Sequence, residues 1–330
     1  MFKRRLGRSD LEVSAMGLGC WAMGGPWDLL EADGSREPVG WGQVDDADSI
    51  RAIHYALDAG INFFDTAANY GCGHSERVLG QALAGRRDRV ILATKFGYII
   101  DEEKRIVTRT EDVLPRIRQE CEDSLRRLGT DYIDLYQFHK GEYDPGKAGE
   151  VRDFLEKLVD EGKIRWYGWS TDQSESVPVF AQGKHCTAIQ HWLNMGYDTP
   201  EMLKVCEEHD LASVNRSPLG SGMMTGKFTV DTRFPADDMR STWDLHKPFP
   251  TQRLQRIEAV RKYFADSGDT RTQAQIALAW IWTHSDRTIP IPGFKTLDQV
   301  KENIHAMDFG RLTGEQMRKI DEIFERPPVT

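Results

Sequence analysis

No stretch of this chain approaches the run of about 18 apolar residues that a membrane-crossing helix needs. The opening Met1-Phe2-Lys3-Arg4-Arg5 leads into polar sequence rather than the apolar core of a signal peptide. A cytoplasmic location is the expectation. Cysteine is scarce: Cys20, Cys72, Cys121, Cys186 and Cys206 are an odd set of five without paired metal-ligand spacing. Neither a disulfide framework nor a metal site is expected, and the thiols should be free. An excess of positive charge is also missing. With 43 Lys and Arg against 52 Asp and Glu, the formal charge is -9, so nucleic acid and anionic membranes, which select a basic face, are not expected partners. Nor does Gly17-Leu18-Gly19-Cys20-Trp21-Ala22 complete the G-x-G-x-x-G of an open dinucleotide-binding sheet.

What the chain does have is 39% hydrophobic residues over 330 positions, enough to bury a full core in one domain spanning 1–330. Leu6-Gly7-Arg8-Ser9-Asp10-Leu11 reads as the turn of an N-terminal hairpin. Short apolar runs near positions 17, 63, 92, 135, 167, 189, 213 and 289 then alternate with segments of helical spacing. Helices are expected from Asp45 or Asp46 to 60, then at 75–83 and 114–128, the last with Pro115 in its first turn and Gly129 as its stop. Further helices are expected at 151–159, 177–181, 202–209, 254–264, 273–282, 297–307 and 315–324. Two irregular segments, 21–45 and 216–250, interrupt the rhythm as long loops. Eight βα units predict an α/β fold closed as a parallel (β/α)8 barrel rather than a doubly wound sheet.

The segment Phe63-Phe64-Asp65-Thr66-Ala67-Ala68-Asn69-Tyr70-Gly71 puts an apolar strand, a carboxylate and a phenol within nine residues. Asp65 and Tyr70 follow the second strand, Lys95 the third and His139 the fourth, and a barrel gathers such strand ends on one face. A phenol has an ordinary pKa near 10 and needs a nearby cation to exchange a proton at neutral pH. Lys95 supplies that cation, Asp65 keeps it charged, and a neutral His139 imidazole can hydrogen-bond a substrate oxygen. Taken singly, a strand-end His or an Asp–Lys pair is ordinary scaffold; the combination at successive strand ends is not. Trp21, Met23 and Trp41 from the first long loop are candidates for an aromatic-walled substrate pocket.

Phe64-Asp65-Thr66-Ala67 with Tyr70-Gly71, Ala93-Thr94-Lys95, Asp131 through His139, Ser217-Pro218-Leu219-Gly220-Ser221-Gly222 and Ile289-Pro290-Ile291-Pro292-Gly293 resemble the signatures of the aldo-keto reductases. The likeness runs from about residue 2 to 325, and its opening hairpin is similar to the one closing the barrel bottom in that family. The resemblance implies Tyr70 as general acid, Lys95 and Asp65 as its tuning pair, and His139 as the group orienting the carbonyl. It implies NADPH, with NADH possible, bound across the barrel mouth. Ser170 and Gln190 would hold the carboxamide, Ser217, Leu219 and Ser221 the pyrophosphate, and Gly293, Lys295, Gln299, Glu302 and Asn303 the adenosine phosphate. Lys295 would neutralise a 2′-phosphate, while Gln299 stands where many relatives place an Arg.

Two positions depart from the family pattern. Thr171-Asp172 follows Ser170 where relatives carry Asn, and Arg216 replaces an aromatic residue stacked on the nicotinamide. A guanidinium can stack as well, and its charge is expected to disfavour bound NADP+ relative to NADPH. The alternative is an Arg216 turned into a salt bridge with a loop carboxylate. The implied activity is reduction of a small-molecule aldehyde or ketone to the alcohol. Alternatives are a sugar or polyol dehydrogenase working oxidatively, and a non-catalytic nicotinamide-binding subunit resembling the potassium-channel β-subunit branch. The chain ends soon after Glu325-Arg326-Pro327-Pro328, which suggests an open mouth with broad carbonyl acceptance. Oligomeric state is left open.

Overall fold

The computed structural model describes residues 2–326; the end of the tail on which the open-mouth expectation rests lies outside them. Eight short parallel strands form one curled sheet in strict sequence order: β1 (Leu18–Gly19), β2 (Phe63–Asp65), β3 (Ile91–Phe96), β4 (Ile133–Phe138), β5 (Ile164–Ser170), β6 (Cys186–Trp192), β7 (Ala212–Arg216) and β8 (Thr288–Pro290). The edges meet where Gly17 N–H donates to Pro290 O at 3.0 Å and Gly19 N–H to Pro292 O at 3.0 Å. A Cβ on Gly19 would stand 2.6 Å from Ile291 O, so only glycine lets the two edges approach this closely. The barrel expected from the eight βα units is the fold observed.

Its helices are α1 (Asp46–Asp58), α2 (His74–Leu83), α3 (Ile117–Leu128), α4 (Pro145–Asp160), α5 (Val177–Ala181) and α6 (Pro200–Glu208), followed by α7 (Pro248–Asp266), α8 (Gln273–His284), α9 (Leu297–Phe309) and α10 (Gly314–Phe324). Asp45 caps α1 by accepting from Asp48 N–H at 2.9 Å, and Gly129 ends α3 in the left-handed region. Pro115 lies in a 3-10 turn leading into α3. Two helices are longer than their apolar spacing alone suggests. α4 begins at Pro145, where Asp144 caps it, and α7 begins at Pro248, both prolines occupying a first turn that has no use for an N–H.

The hairpin Lys3–Arg5 with Glu12–Ser14 closes the barrel bottom. Leu6, Leu11 and Val13 pack there against Phe63, Ile91, Leu135, Val214 and Ile289, the inward residues of five strands. Outside the wall, larger apolar clusters join strands to helices, with Trp169, Trp280 and Trp282 fully buried. At the opposite end, a sheet that the sequence reading did not anticipate stands over the mouth. It joins 28–30 and 36–38 of the first long loop to a hairpin, 98–101 and 106–109, that follows β3.

Candidate functional site

The strand ends at the mouth converge as the topology requires. Lys95 on β3 is fully buried, and its ammonium donates to Asp65 Oδ1 at 2.5 Å, Thr66 O at 2.9 Å and the Tyr70 hydroxyl oxygen at 2.9 Å. These bonds use all three ammonium donors. Because the Tyr70 oxygen accepts from Lys95, its own hydrogen is directed elsewhere, and Tyr70 lines the cavity above. Gly71 holds the turn behind it: with φ at +59°, a Cβ there would meet Gly24 O at 2.1 Å.

Burial raises the Tyr70 pKa, Lys95 opposes this, and the net direction is upward. The phenol is therefore protonated at neutral pH. Burial works against the Lys95 ammonium, but Asp65 and Tyr70 outweigh it and raise its pKa. His139 is driven well below its usual value by burial, with Lys95 and Arg216 adding to the effect, so its imidazole is neutral. Its Nδ1 pairs with the Asn69 side-chain amide at 3.1 Å, and its ring lies edge-on to Tyr70 with centroids 5.9 Å apart.

These groups floor one end of a cavity of about 550 Å³. Trp21 stacks on Tyr70 with centroids 5.5 Å apart, and Tyr98 stands edge-on to His139 at 5.4 Å. Ser170, Gln190 and Arg216 also line it, as do Ser217, Leu219 and Ser221 on the loop after β7. Gly293 and Lys295 before α9, and Gln299, Glu302 and Asn303 in its first two turns, complete this part of the lining. Trp41 joins the lining from a strap in which the two long loops are laced together. It pairs with Asp238, its carbonyl accepts from Lys295 Nζ at 2.5 Å, and Arg240 lies 4.6 Å from its ring.

Met23 is a correction. It does not line the cavity but is buried with Leu18, Cys20 and Leu79, because a 3-10 turn at 22–24 folds it beneath the loop. Tyr98, Phe228, Phe234 and Arg240 line the cavity and were missed. For Tyr98 the signal was present: Tyr98-Ile99-Ile100 and Ile106-Val107-Thr108 flank a charged turn, the pattern of a hairpin.

Arg216 forms an ion pair with Asp172, whose other oxygen accepts from Trp192 N–H at 2.8 Å. The guanidinium lies 5.6 Å from the Trp192 ring. The two departures from the family pattern thus meet in one contact: Arg216 makes the salt bridge of the alternative reading but is not turned away, since it still lines the cavity. The five cysteines are all buried and free.

The Aldo/keto reductase family model matches residues 15–325. The chain belongs to that family. It is accordingly an oxidoreductase, and members of the family use nicotinamide cofactors. Its sequence is 31% identical to "Probable aldo-keto reductase 1" of Glycine max, over 98% of this chain and 88% of that one. Among solved structures, it is similar to the glycerol dehydrogenase AKR11B4 from Gluconobacter oxydans, with 33% identity, a TM-score of 0.83, and 99% and 97% of the two chains covered. It is also similar to an aldo-keto reductase from Klebsiella pneumoniae in complex with NADPH, at 27% identity and a TM-score of 0.69, covering 100% and 98%.

The cavity suits a nicotinamide dinucleotide on chemical grounds. Its lining includes Asp65, Tyr70 and His139 together with Lys295, Gln299, Glu302 and Asn303, and Asn303 Nδ2 is a buried donor without a protein partner. Backbone N–H groups at a helix start favour an anion beside Lys295. Among the described residues, no membrane-length apolar helix occurs.

Proposed function

We propose that this protein reduces an aldehyde or ketone to the alcohol with NADPH, using Tyr70 as general acid. The observation that carries the reading is the Tyr70 hydroxyl, protonated, accepting from Lys95 and turned toward the cavity. NADPH, when bound, would supply the hydride that the carbonyl carbon accepts. Tyr70 gives its proton to the oxygen on which negative charge develops. Lys95 stabilises the phenolate left behind, and Asp65 keeps the ammonium in place. A neutral His139 would donate from Nε2 to the same oxygen in the tautomer whose Nδ1 accepts, which requires Asn69 to present its amide N–H rather than its oxygen to Nδ1. Such a positioned acid contributes roughly a hundred- to ten-thousand-fold in rate. Ser170, Gln190 and Arg216 would hold the nicotinamide end, Ser217, Leu219 and Ser221 the pyrophosphate, and Gly293, Lys295, Gln299, Glu302 and Asn303 the adenosine end. Trp21 and Tyr98 would wall the carbonyl subsite.

The test is loss of reduced-nicotinamide absorbance with a panel of aldehydes, ketones and ketosugars. Tyr70→Phe is expected to bind NADPH normally while turnover falls at least a hundredfold, on the order set by general acid catalysis. Near-normal turnover in that variant would remove Tyr70 from the mechanism. A second reading, oxidation of a polyol, is favoured by the likeness to the Gluconobacter glycerol dehydrogenase. The same residues would then run in reverse, the ionised form of Tyr70, held beside the Lys95 ammonium, accepting the alcohol proton, and NADP+ reduction with glycerol would exceed carbonyl reduction.

A further inference from the structure

Beneath the cavity floor lies a layer of hydrogen-bonded polar side chains, one member of which, Gln137, the proposed mechanism does not use. Gln137 on β4 is fully buried and is paired in the sheet with Lys95 on one side and Gly168 on the other. Paired residues of a parallel sheet face the same way, so Gln137 points into the barrel as Lys95 does. Gly168 contributes no side chain, and a Cβ there would meet Ala188 O at 2.4 Å. Gln190, one strand further round, reaches across to Gln137. Gln137 Nε2 donates to Asp65 Oδ2 at 2.8 Å, and Gln190 Nε2 donates to the same oxygen at 2.8 Å and to Gln137 Oε1 at 3.1 Å.

These bonds fix which way both amides face. A carboxylate only accepts, so each amide must show Asp65 its NH2, and flipping either would set acceptor against acceptor. With its NH2 engaged by Asp65 and Gln137, Gln190 has only its carbonyl oxygen left to present to the cavity it lines. Asp65 is equally constrained. Lys95 holds Oδ1 and the two amides hold Oδ2, so the carboxylate cannot turn away from the ammonium.

We propose that Gln137 is a positioning residue: it locks the Asp65 carboxylate against Lys95 and orients the Gln190 amide so that its oxygen faces the bound nicotinamide. The inference rests on the proposed roles of Tyr70, Lys95 and Gln190. One residue outside the cavity thereby couples cofactor placement to the acid that protonates the substrate.

Two variants of the full chain test this. Gln137→Met keeps the volume but removes both donor and acceptor. It is expected to lower kcat about tenfold and raise the NADPH Kd about fivefold at every pH, the scale of one hydrogen bond to a charged group, with the carbonyl KM nearly unchanged. Gln137→Glu carries its own rescue. When protonated, the new carboxyl donates to Asp65 and accepts from Gln190; when ionised, it repels Asp65. Its kcat relative to the unmodified protein is expected to be near one in acid and to fall about tenfold or more as pH rises through its titration. Retention of kcat and NADPH affinity within twofold in both variants would overturn the proposal. So would equal, pH-independent losses that follow Tm. If the unmodified protein binds NADPH but turns over no carbonyl, the proposed function fails on its own. The inference is then judged on NADPH Kd: a rise in Gln137→Met supports it and no change overturns it.

Discussion

The Lys95–Asp65 pair lets stability and catalysis be separated in one experiment. The side chains of Lys95 and Asp65 are 0% and 2% exposed, so both charges lie in the protein interior. Replacing Lys95 by Met deletes the cation and leaves Asp65 buried, held only by the two amides on its other oxygen. Removing one partner of such a pair costs about 3–5 kcal/mol, because the survivor keeps its desolvation penalty and loses its compensation. For a chain of this size, at about 2 °C per kcal/mol, that corresponds to a fall in Tm of about 6–10 °C. The double variant Lys95→Met/Asp65→Asn removes both charges and should recover most of that loss, since a neutral pair carries no uncompensated charge. Turnover should follow a different course. Lys95 also donates to the Tyr70 oxygen, so both variants should lose about a hundredfold or more in kcat while still binding NADPH. Calorimetry supplies the first comparison and steady-state reduction of an aldehyde the second. A single variant that melts with the unmodified protein, or a double variant no more stable than the single, would refute the buried-charge argument. A double variant that regained turnover would refute the role given to Lys95.

Stability should also fall in mild acid. His191 is fully buried, and burial lowers its pKa from 6.5 to about 4, with Asp172 pulling the other way. The unfolded chain binds the proton first, so the contribution is complete above about pH 6.5 and is lost as pH falls toward 4, about 2 kcal/mol being gone by pH 5. His191→Asn should flatten that part of the Tm profile, and an unchanged slope would assign it elsewhere. Asp172→Asn releases the Arg216 charge beside the proposed nicotinamide position. It should weaken NADP+ more than NADPH by about two- to fivefold, the scale of a half-exposed ion pair; titration of both forms checks it, and an unchanged ratio would remove charge from the account of Arg216. Lys295→Gln should raise the NADPH Kd about tenfold, as loss of a charged hydrogen bond to a 2′-phosphate would. The NADH Kd should not move, and an equal effect on both cofactors would place the Lys295 ammonium away from the 2′-phosphate.

The barrel and its four strand-end residues were legible because both depend on short-range pattern. Apolar runs of strand length alternate with helical spacing, and a closed ring of such units leaves its strand ends no other place to go. The mouth sheet was not legible for the opposite reason. Its strands have three or four residues, and 28–30 pairs with 106–108 across most of two βα units, so no local period announces the pairing. Met23 was misplaced because an apolar residue in a loop can serve core or pocket equally well, and only the turn at 22–24 decides. Arg216 and Asp172 were each recognised as unusual, yet their contact depends on β5 and β7 flanking β6, so that Arg216 at the end of β7 meets Asp172 just past the end of β5. Gln137 shows what a closer reading could have extracted. All six residues of β4 are buried, so its polar members had to find partners. Alternation sends Asp134 outward, to Arg87 and Arg165, and Gln137 inward, into the same space as Asp65 and Lys95. A polar side chain on the inward face of a barrel strand, one residue from the mouth, has only the Asp65–Lys95 layer to bond to, and its position therefore carries information about the site even without a recognised motif.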